Sequence, residues 1–294
     1  MRGQVELPVY GDYVGQAIKE IQRFARNGIH LCVRFSGGKD SVVLKWLFDQ
    51  AGIEYTARFS PTTVDPPEAL DFVRKYHKDV LWDMPRIGMF PLIIKKGFPP
   101  TRMCRYCCRE FKERNTCSKN AVTCTGVRQK ESLKRANRRK YEICRLDAKV
   151  GFFNPIIDWT EEQVWAVIDD NHIPYCCTYD EGFTRLGCVG CPLTSSKQII
   201  KEFRRWPKFE NAYYLAFKHM LEGRHFDKWK TAADVMEWYI YGSEARYKQL
   251  EAKGVEGQMG FPINQMYEDD SFGHPTCYQD WRDVADAKRI LLNE

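Results

Sequence analysis

The sequence predicts an α/β fold, a parallel sheet with helices on both faces, followed by a helical C-terminal region. Three observations predict it. An apolar run, Ile29-His-Leu-Cys-Val-Arg34, meets a Ser-Gly-Gly turn that opens a second apolar run, Val42–Phe48. Strand-like and helix-like segments then alternate, the pattern of a parallel sheet wrapped by crossover helices. From about Ser195 aromatic and basic residues recur in helical phase, with Phe203, Trp206, Tyr213, Tyr214, Phe217 and Trp229 marking the stripe. The expected division is residues 1–195 for the sheet domain, which carries the clustered cysteines, and 196–294 for the mainly helical region.

In chain order, Val14, Ala17, Ile18, Ile21 and Phe24 predict an amphipathic helix that ends at Asn27-Gly28. The helix after the Ser-Gly-Gly turn stops near Ala51-Gly52. Glu54–Phe59 reads as a second strand. Ser60–Glu68 is a hydroxyl-rich loop with carboxylates at Asp65 and Glu68, and the pair Pro66-Pro67 leads into a helix over about Glu68–His77. Asp79–Asp83 is the third strand. A short helix, Ile87–Lys95, precedes Cys104-Arg-Tyr-Cys-Cys108, and Ala121–Thr125 is a further strand. Asn154–Trp159 is a connection. Thr160-Glu-Glu-Gln163 fits a capping box for a helix through Asn171, broken at Ile173-Pro174. The aromatic stripe reads first as a packing face, with base stacking as its competing role.

The turn Ser36-Gly-Gly-Lys-Asp-Ser41 carries the clearest chemistry. Gly37 and Gly38 are free to take positive φ and let the backbone approach an anion. Ser36 and Ser41 supply hydroxyls and Lys39 a charge, while the first helical turn points its N–H groups at whatever sits there. The spacing is not that of a Walker loop. It resembles the pyrophosphate loop (PP-loop) of the adenine-nucleotide α-hydrolase superfamily, whose members split ATP between the α and β phosphates or bind adenylyl sulfates. Asp65, Arg128, Glu131, Ser132 and Arg135 fall past the carboxyl ends of strands, where such sheets bind ligands. Arginine there forks onto phosphate or sulfate oxygens.

Composition bounds the function. The 294 residues are 44% apolar with a net charge of +6, and no run approaches a membrane span. The reading is a soluble, cytoplasmic protein. The segment Arg128–Lys140 is strongly basic and suggests polyanion contact, a solvated helix face being the competing reading. Twelve cysteines are many for such a chain, and they group as Cys104, Cys107, Cys108 and as Cys176, Cys177, Cys188, Cys191. A metal or cluster site suits them better than a disulfide framework. Cys188-Val-Gly-Cys191 with Cys107, Cys108 and Cys176 makes four thiolates with one to spare. Four thiolates suit zinc or a [4Fe–4S] cluster, which spacing does not separate. Buried free cysteines suit Cys32, Cys124 and Cys144.

Together these segments resemble the phosphoadenylyl-sulfate (PAPS) reductase family over roughly residues 28–195. The resemblance rests on Ser36–Ser41, Arg105-Tyr-Cys-Cys108, Gly126-Val-Arg-Gln-Lys-Glu-Ser132 with Arg135, Asn154–Thr160 and Gly187-Cys-Val-Gly-Cys191. In its adenylyl-sulfate reductases a [4Fe–4S] cluster is held by a Cys-Cys pair and a C-x-x-C, implying Cys107, Cys108, Cys188 and Cys191. A sister branch in DNA phosphorothioation implies Cys107, Cys176, Cys188 and Cys191 instead. Thr63–Glu68 and Tyr175–Gly182 look more like this second branch. The reductases carry a nucleophilic cysteine in a Glu-Cys-Gly-x-His setting, whereas the late cysteine here is Cys277 in His274-Pro-Thr-Cys-Tyr278.

The resemblance therefore implies, first, an ATP-using enzyme of sulfur transfer with ATP and Mg²⁺ at the loop. Lys39, Asp40, Arg128 and Arg135 are its candidate catalytic residues. Its partners would be an adenine nucleotide, a DNA or RNA acceptor, a sulfur donor or thiol-reductant protein, and a second copy of the chain as a homodimer. The alternatives are sulfonucleotide reduction, and a non-catalytic nucleotide-binding module with structural zinc.

Overall fold

The structure is a computed structural model that describes residues 12–26, 28–113, 117, 121–143 and 151–242. Its elements run as follows. Helix α1 (Tyr13–Ala25), strand β1 (His30–Phe35), α2 (Lys39–Ala51), β2 (Thr56–Phe59), α3 (Pro67–Tyr76) and β3 (Leu81–Trp82) open the chain. Then come α4 (Met89–Lys96), α5 (Tyr106–Cys108) with a π turn over Arg109–Glu113, β4 (Ala121–Cys124), α6 (Leu133–Ala136), β5 (Tyr141–Ile143) and β6 (Gly151–Phe153). The remainder is α7 (Glu161–Asp170), a 3₁₀ turn at Cys177–Tyr179, α8 (Ser196–Arg205), α9 (Pro207–Leu221) and α10 (Ala232–Tyr241).

The chain divides into two compact units. The first comprises the described residues of Met1–Ser60, Pro67–Met84 and Asn115–Gly187, and the second those of Pro61–Pro66, Pro85–Arg114 and Cys188–Glu294.

The first unit is built on one six-stranded sheet in the order β3-β2-β1-β4-β6-β5. Every pairing is parallel except β5 with β6. Helices cover both faces, and β1 lies in the interior of the sheet between β2 and β4. Leu31, Cys32 and Val33 are all buried, the near-continuous apolar run that a strand covered on both sides requires. α2 returns over the sheet, burying Val42, Val43, Leu44, Leu47 and Phe48. α1 starts where Asp12 accepts the Gly15 N–H at 2.7 Å, and it packs against α2. α7 has the expected box, with Thr160 Oγ1 accepting from Gln163 N at 3.2 Å and Gln163 Oε1 accepting from Thr160 N at 2.8 Å.

The predicted α/β class holds, with β5 adding one antiparallel edge to a mostly parallel sheet. Two sequence expectations need correction. The third strand is only Leu81–Trp82; Asp83 N still donates to Phe59 O at 2.8 Å, and its carboxylate accepts from Arg58 Nε at 3.0 Å. Cys32 is not a free core thiol. It forms a disulfide with Cys117, the Cα atoms 5.9 Å apart, because the parallel register His30↔Ala121 brings the approach to β4 alongside β1. Cys124 is buried and free as expected, and Cys144 lies outside the described residues.

The second unit is helical. α9 packs on α4, α8 and α10. Phe203, Trp206, Tyr213 and Phe217 of the aromatic stripe are buried there, so those four serve packing. Among the described residues no helix is long and apolar enough to cross a membrane.

Candidate functional site

In the first unit, β1 delivers Phe35 and the chain turns at Gly37, whose φ of +76° needs no side chain. Gly38 is extended, at φ −75°, and caps α2 without a side-chain bond. The two serines tie the turn: Ser36 N donates to Ser41 Oγ at 3.2 Å, and Ser41 Oγ donates to Gly38 O at 2.8 Å. Lys39 opens α2 and is 4% exposed. Its ammonium reaches Glu161 Oε1 at 3.3 Å, Asp40 Oδ2 at 3.7 Å and the Thr184 carbonyl at 3.2 Å.

Arg128, 3% exposed, stands past the end of β4. Its Nε donates to Asp40 Oδ1 at 2.5 Å, and its own N–H is held by Glu131 Oε2 at 2.8 Å. Glu131 also pairs with Arg135, and Ser132 Oγ accepts from Arg135 N at 3.3 Å. Lys39, Asp40 and Arg128 are thus one linked group at the head of α2, with Glu131, Ser132 and Arg135 bracing it from behind.

Sequence reasoning missed Glu161 and Tyr179 as partners of Lys39. It also missed the guanidiniums at the strand ends. Arg34 donates to Ser60 Oγ at 2.9 Å and stands 3.6 Å from Asp83, which Arg58 grips.

In the second unit the Cys107-Cys108 pair and Cys188-Val-Gly-Cys191 gather around Lys112 of the π turn. The residues between the two latter cysteines have every backbone group bound. Val189 N donates to Val64 O at 2.8 Å, and Gly190 N donates to Glu202 Oε2 at 2.7 Å. Tyr213 donates to Val189 O at 3.2 Å and Tyr239 to Gly190 O at 2.7 Å. Gly190 is required: φ is +69°, and a Cβ there would stand 2.7 Å from the Phe203 ring. Glu202 and Tyr239 left no local signal, since they act on residues 12 and 49 positions away.

The charges of this group are coupled. The Cys107 thiol donates to the Cys108 sulfur, which pushes Cys108 down, helped by Lys112 and Arg105, and pushes Cys107 up. Burial raises Cys188 while Lys112 opposes it. Lys112 is held above its ordinary range, chiefly by the charge of Cys188 and then by Asp65, Cys108 and Cys191. Asp65 belongs here too. Burial raises its carboxyl, Lys112 counters, and it accepts the Thr62 N–H at 2.5 Å. Cys176 is buried in the first unit, where the Thr178 hydroxyl donates to its sulfur at 3.4 Å.

Cys107, Cys108, Cys188 and Cys191 come from two segments of one unit and share one electrostatic field with Lys112. Among the described residues, no three of His, Cys, Asp or Glu stand at ligating distance from one another. Cys277 lies outside the described residues.

A parallel-sheet core whose interior strand runs through a Ser-Gly-Gly-Lys-Asp-Ser turn into a helix defines a nucleotide-binding α/β module. The sequence profile of the phosphoadenosine phosphosulfate reductase domain matches residues 30–194, more than half of the chain. The chain belongs to that family. An uncharacterized protein of Methanocaldococcus jannaschii is 29% identical over 194 residues, covering 61% of this chain and 45% of that one. An adenosine 5'-phosphosulfate reductase of Neisseria meningitidis serogroup B is 38% identical over 79 residues, covering 26% of this chain and 31% of that one. The chain therefore spans less than half the length of these curated relatives. A solved PAPS reductase of Candida auris superposes with a TM-score of 0.48 at 18% identity, covering 63% of this chain and 98% of that chain.

Proposed function

We propose that the chain is a sulfonucleotide-processing enzyme that seats the phosphate end of an adenylyl sulfate on the Ser36–Ser41 turn and yields sulfite. The observation that carries this reading is the family match over residues 30–194, which spans both that turn and Cys188-Val-Gly-Cys191. Lys39 and the N-terminus of α2 offset the charge gathering on the phosphate as it leaves. Arg128 holds Asp40 and so fixes the first turn of the helix. A thiolate attacks the sulfate sulfur. An S–S bond forms, the S–O bond breaks, and the nucleotide leaves with the electron pair. A second thiol then attacks that S–S bond, releasing sulfite and leaving a disulfide, so a dithiol supplies both electrons. Cys277 or a thiol-reductant protein supplies the first thiolate.

Cys107, Cys108, Cys188 and Cys191 are the residues that would hold a [4Fe–4S] cluster, with zinc as the alternative. When bound, such a group supplies a fixed inorganic charge beside Lys112. Anaerobic purification with an absorbance spectrum and iron, sulfide and zinc analysis decides between the two metals.

A second reading is favoured by one observation, the setting of Cys277, which lacks the Glu-Cys-Gly-x-His of the reductases. In it the turn binds ATP with Mg²⁺, an acceptor oxygen on DNA or RNA attacks the α-phosphate, pyrophosphate leaves, and sulfur from a donor replaces the activated oxygen. Two assays on the purified protein separate the readings. Sulfite release from adenylyl sulfate with a dithiol, lost in Cys277→Ser if that thiol is the nucleophile, supports the first. Pyrophosphate release from ATP without sulfite production overturns it in favour of the second.

A further inference from the structure

A phosphate seat at a helix start is defined by its N–H donors and its lysine, and here the Lys39 N–H and the Lys39 ammonium are already engaged by the chain itself. Lys39 N donates to the Tyr179 hydroxyl at 3.0 Å, and the Leu186 backbone N–H faces the same oxygen. The Lys39 ammonium stands 5.5 Å from the centre of the Tyr179 ring and donates to the Thr184 carbonyl at 3.2 Å. The space the two glycines leave is taken as well. A Cβ on Gly38 would lie 3.4 Å from the Tyr179 hydroxyl and 3.8 Å from Leu186, and one on Gly37 would lie 3.5 Å from Leu186. The segment from Cys177 to Leu186 is therefore a strap laid over the glycine turn. Thr178 and Phe183 anchor it in buried positions, while Thr184 and Arg185 are exposed, Tyr179 and Leu186 are half-buried, and Gly182 has a φ of +76°.

We infer that Tyr179 is an internal stand-in for phosphate, and that the strap must lift from the turn when a nucleotide or pyrophosphate binds. This rests on the reading that the turn binds nucleotide phosphates. The phenol oxygen accepts backbone N–H bonds as a phosphate oxygen would, yet it brings no charge to a helix N-terminus and a buried lysine. An anion in the same place makes charge-assisted bonds, which are stronger than those to a neutral hydroxyl. A bound phosphate therefore displaces the phenol, which otherwise covers the turn and satisfies the Lys39 N–H. The displacement has a built-in reporter. Trp165 of α7 packs edge-on against Tyr175 at 5.2 Å and Tyr179 at 5.3 Å, so its environment changes when the strap moves.

The test is calorimetric titration of pyrophosphate and of ATP into the full chain and into Tyr179→Phe, which deletes only the seated oxygen and keeps the ring. Losing one competing hydrogen bond makes Y179F bind about three- to tenfold tighter. Pyrophosphate also changes the tryptophan fluorescence of the wild type, and Trp165→Phe removes most of that change. Circular dichroism confirms that both variants are folded. Binding by Y179F that is equal to or weaker than wild type overturns the stand-in, and leaves the nucleotide reading intact. Absence of pyrophosphate, ATP and adenylyl sulfate binding in folded wild type and Y179F overturns the nucleotide reading and the stand-in together.

Discussion

Arg128 Nε lies 2.5 Å from Asp40 Oδ1, a contact between residues 88 positions apart that ties the end of β4 to the first turn of α2. The Arg128 side chain is 4% exposed and that of Asp40 20%. Removing Arg128 leaves Asp40 with the longer Lys39 contact at 3.7 Å, whereas removing Asp40 deprives a buried guanidinium of its carboxylate, so breaking the pair costs more than the pair contributes. Arg128→Ala should lose about 2 kcal/mol in urea unfolding. Arg128→Lys should recover only part of it, because an ammonium does not reproduce the Nε geometry. In a double-mutant cycle with Asp40→Asn, the coupling should be about 1–3 kcal/mol. Additive losses would show that the two side chains act independently.

Gly126 sits at the same junction, and its missing side chain sets how closely β4 approaches α2. A Cβ there would stand 2.8 Å from the Asp40 carbonyl oxygen and 3.0 Å from its carbon, both backbone atoms with no rotamer to yield. Gly126→Ala should cost about 1–3 kcal/mol and weaken anion binding at the turn. Gly151→Ala is the control, since its Cβ meets only a Val122 methyl at 3.4 Å. Equal melting temperatures for the two variants would contradict this account.

What was legible in the sequence was local. The Ser36–Ser41 turn and the Thr160/Gln163 box are each read within a few residues, because the contacts that define them close over three to five positions. The β5–β6 hairpin was not legible. Tyr141–Ile143 is an edge strand with two of three residues exposed, so it has no apolar run to read. The Cys32–Cys117 bond spans 85 positions and follows only from the β1–β4 register. Tyr179 was within a segment the sequence singled out, yet its hydroxyl reaches Lys39 across 140 positions. Residue types can be read from the chain, whereas a contact of that span requires the fold.

Thr63 gives a prediction that inverts a usual ranking. It is β-branched yet has a φ of +63°. Its Oγ1 accepts the Met89 N–H at 2.9 Å, serving the first turn of α4, where Gly88 offers no side-chain cap. Thr63→Ala keeps the left-handed strain and loses the acceptor, so it should cost about 1 kcal/mol. Thr63→Gly loses the same acceptor but relieves about 1 kcal/mol of strain, leaving it near wild type. Thermal denaturation should therefore rank Gly above Ala. The opposite order would mean that unfolded-chain entropy outweighs strain at this position.

His77 predicts how stability falls with acid. Its ring packs against Phe35 at 4.6 Å and Phe72 at 5.1 Å, and Nε2 has no hydrogen-bond partner among the described residues. Burial lowers its pKa to about 4, the Lys45 charge adds to that, and Asp79 and Asp49 oppose it. The unfolded chain takes up this proton near pH 6.5 and the folded one only near pH 4, so protons favour unfolding between those values. The contribution to stability is complete above the unfolded pKa, declines as pH drops, and reaches a loss of about 3 kcal/mol below the folded pKa. His77→Phe keeps the aromatic packing and removes the titration. Urea midpoints at pH 7.5, 6, 5 and 4.5 should show wild type losing stability to acid more steeply than H77F, the gap opening below about pH 6.5. Parallel curves for the two proteins would show that the ring is protonated without leaving its aromatic site.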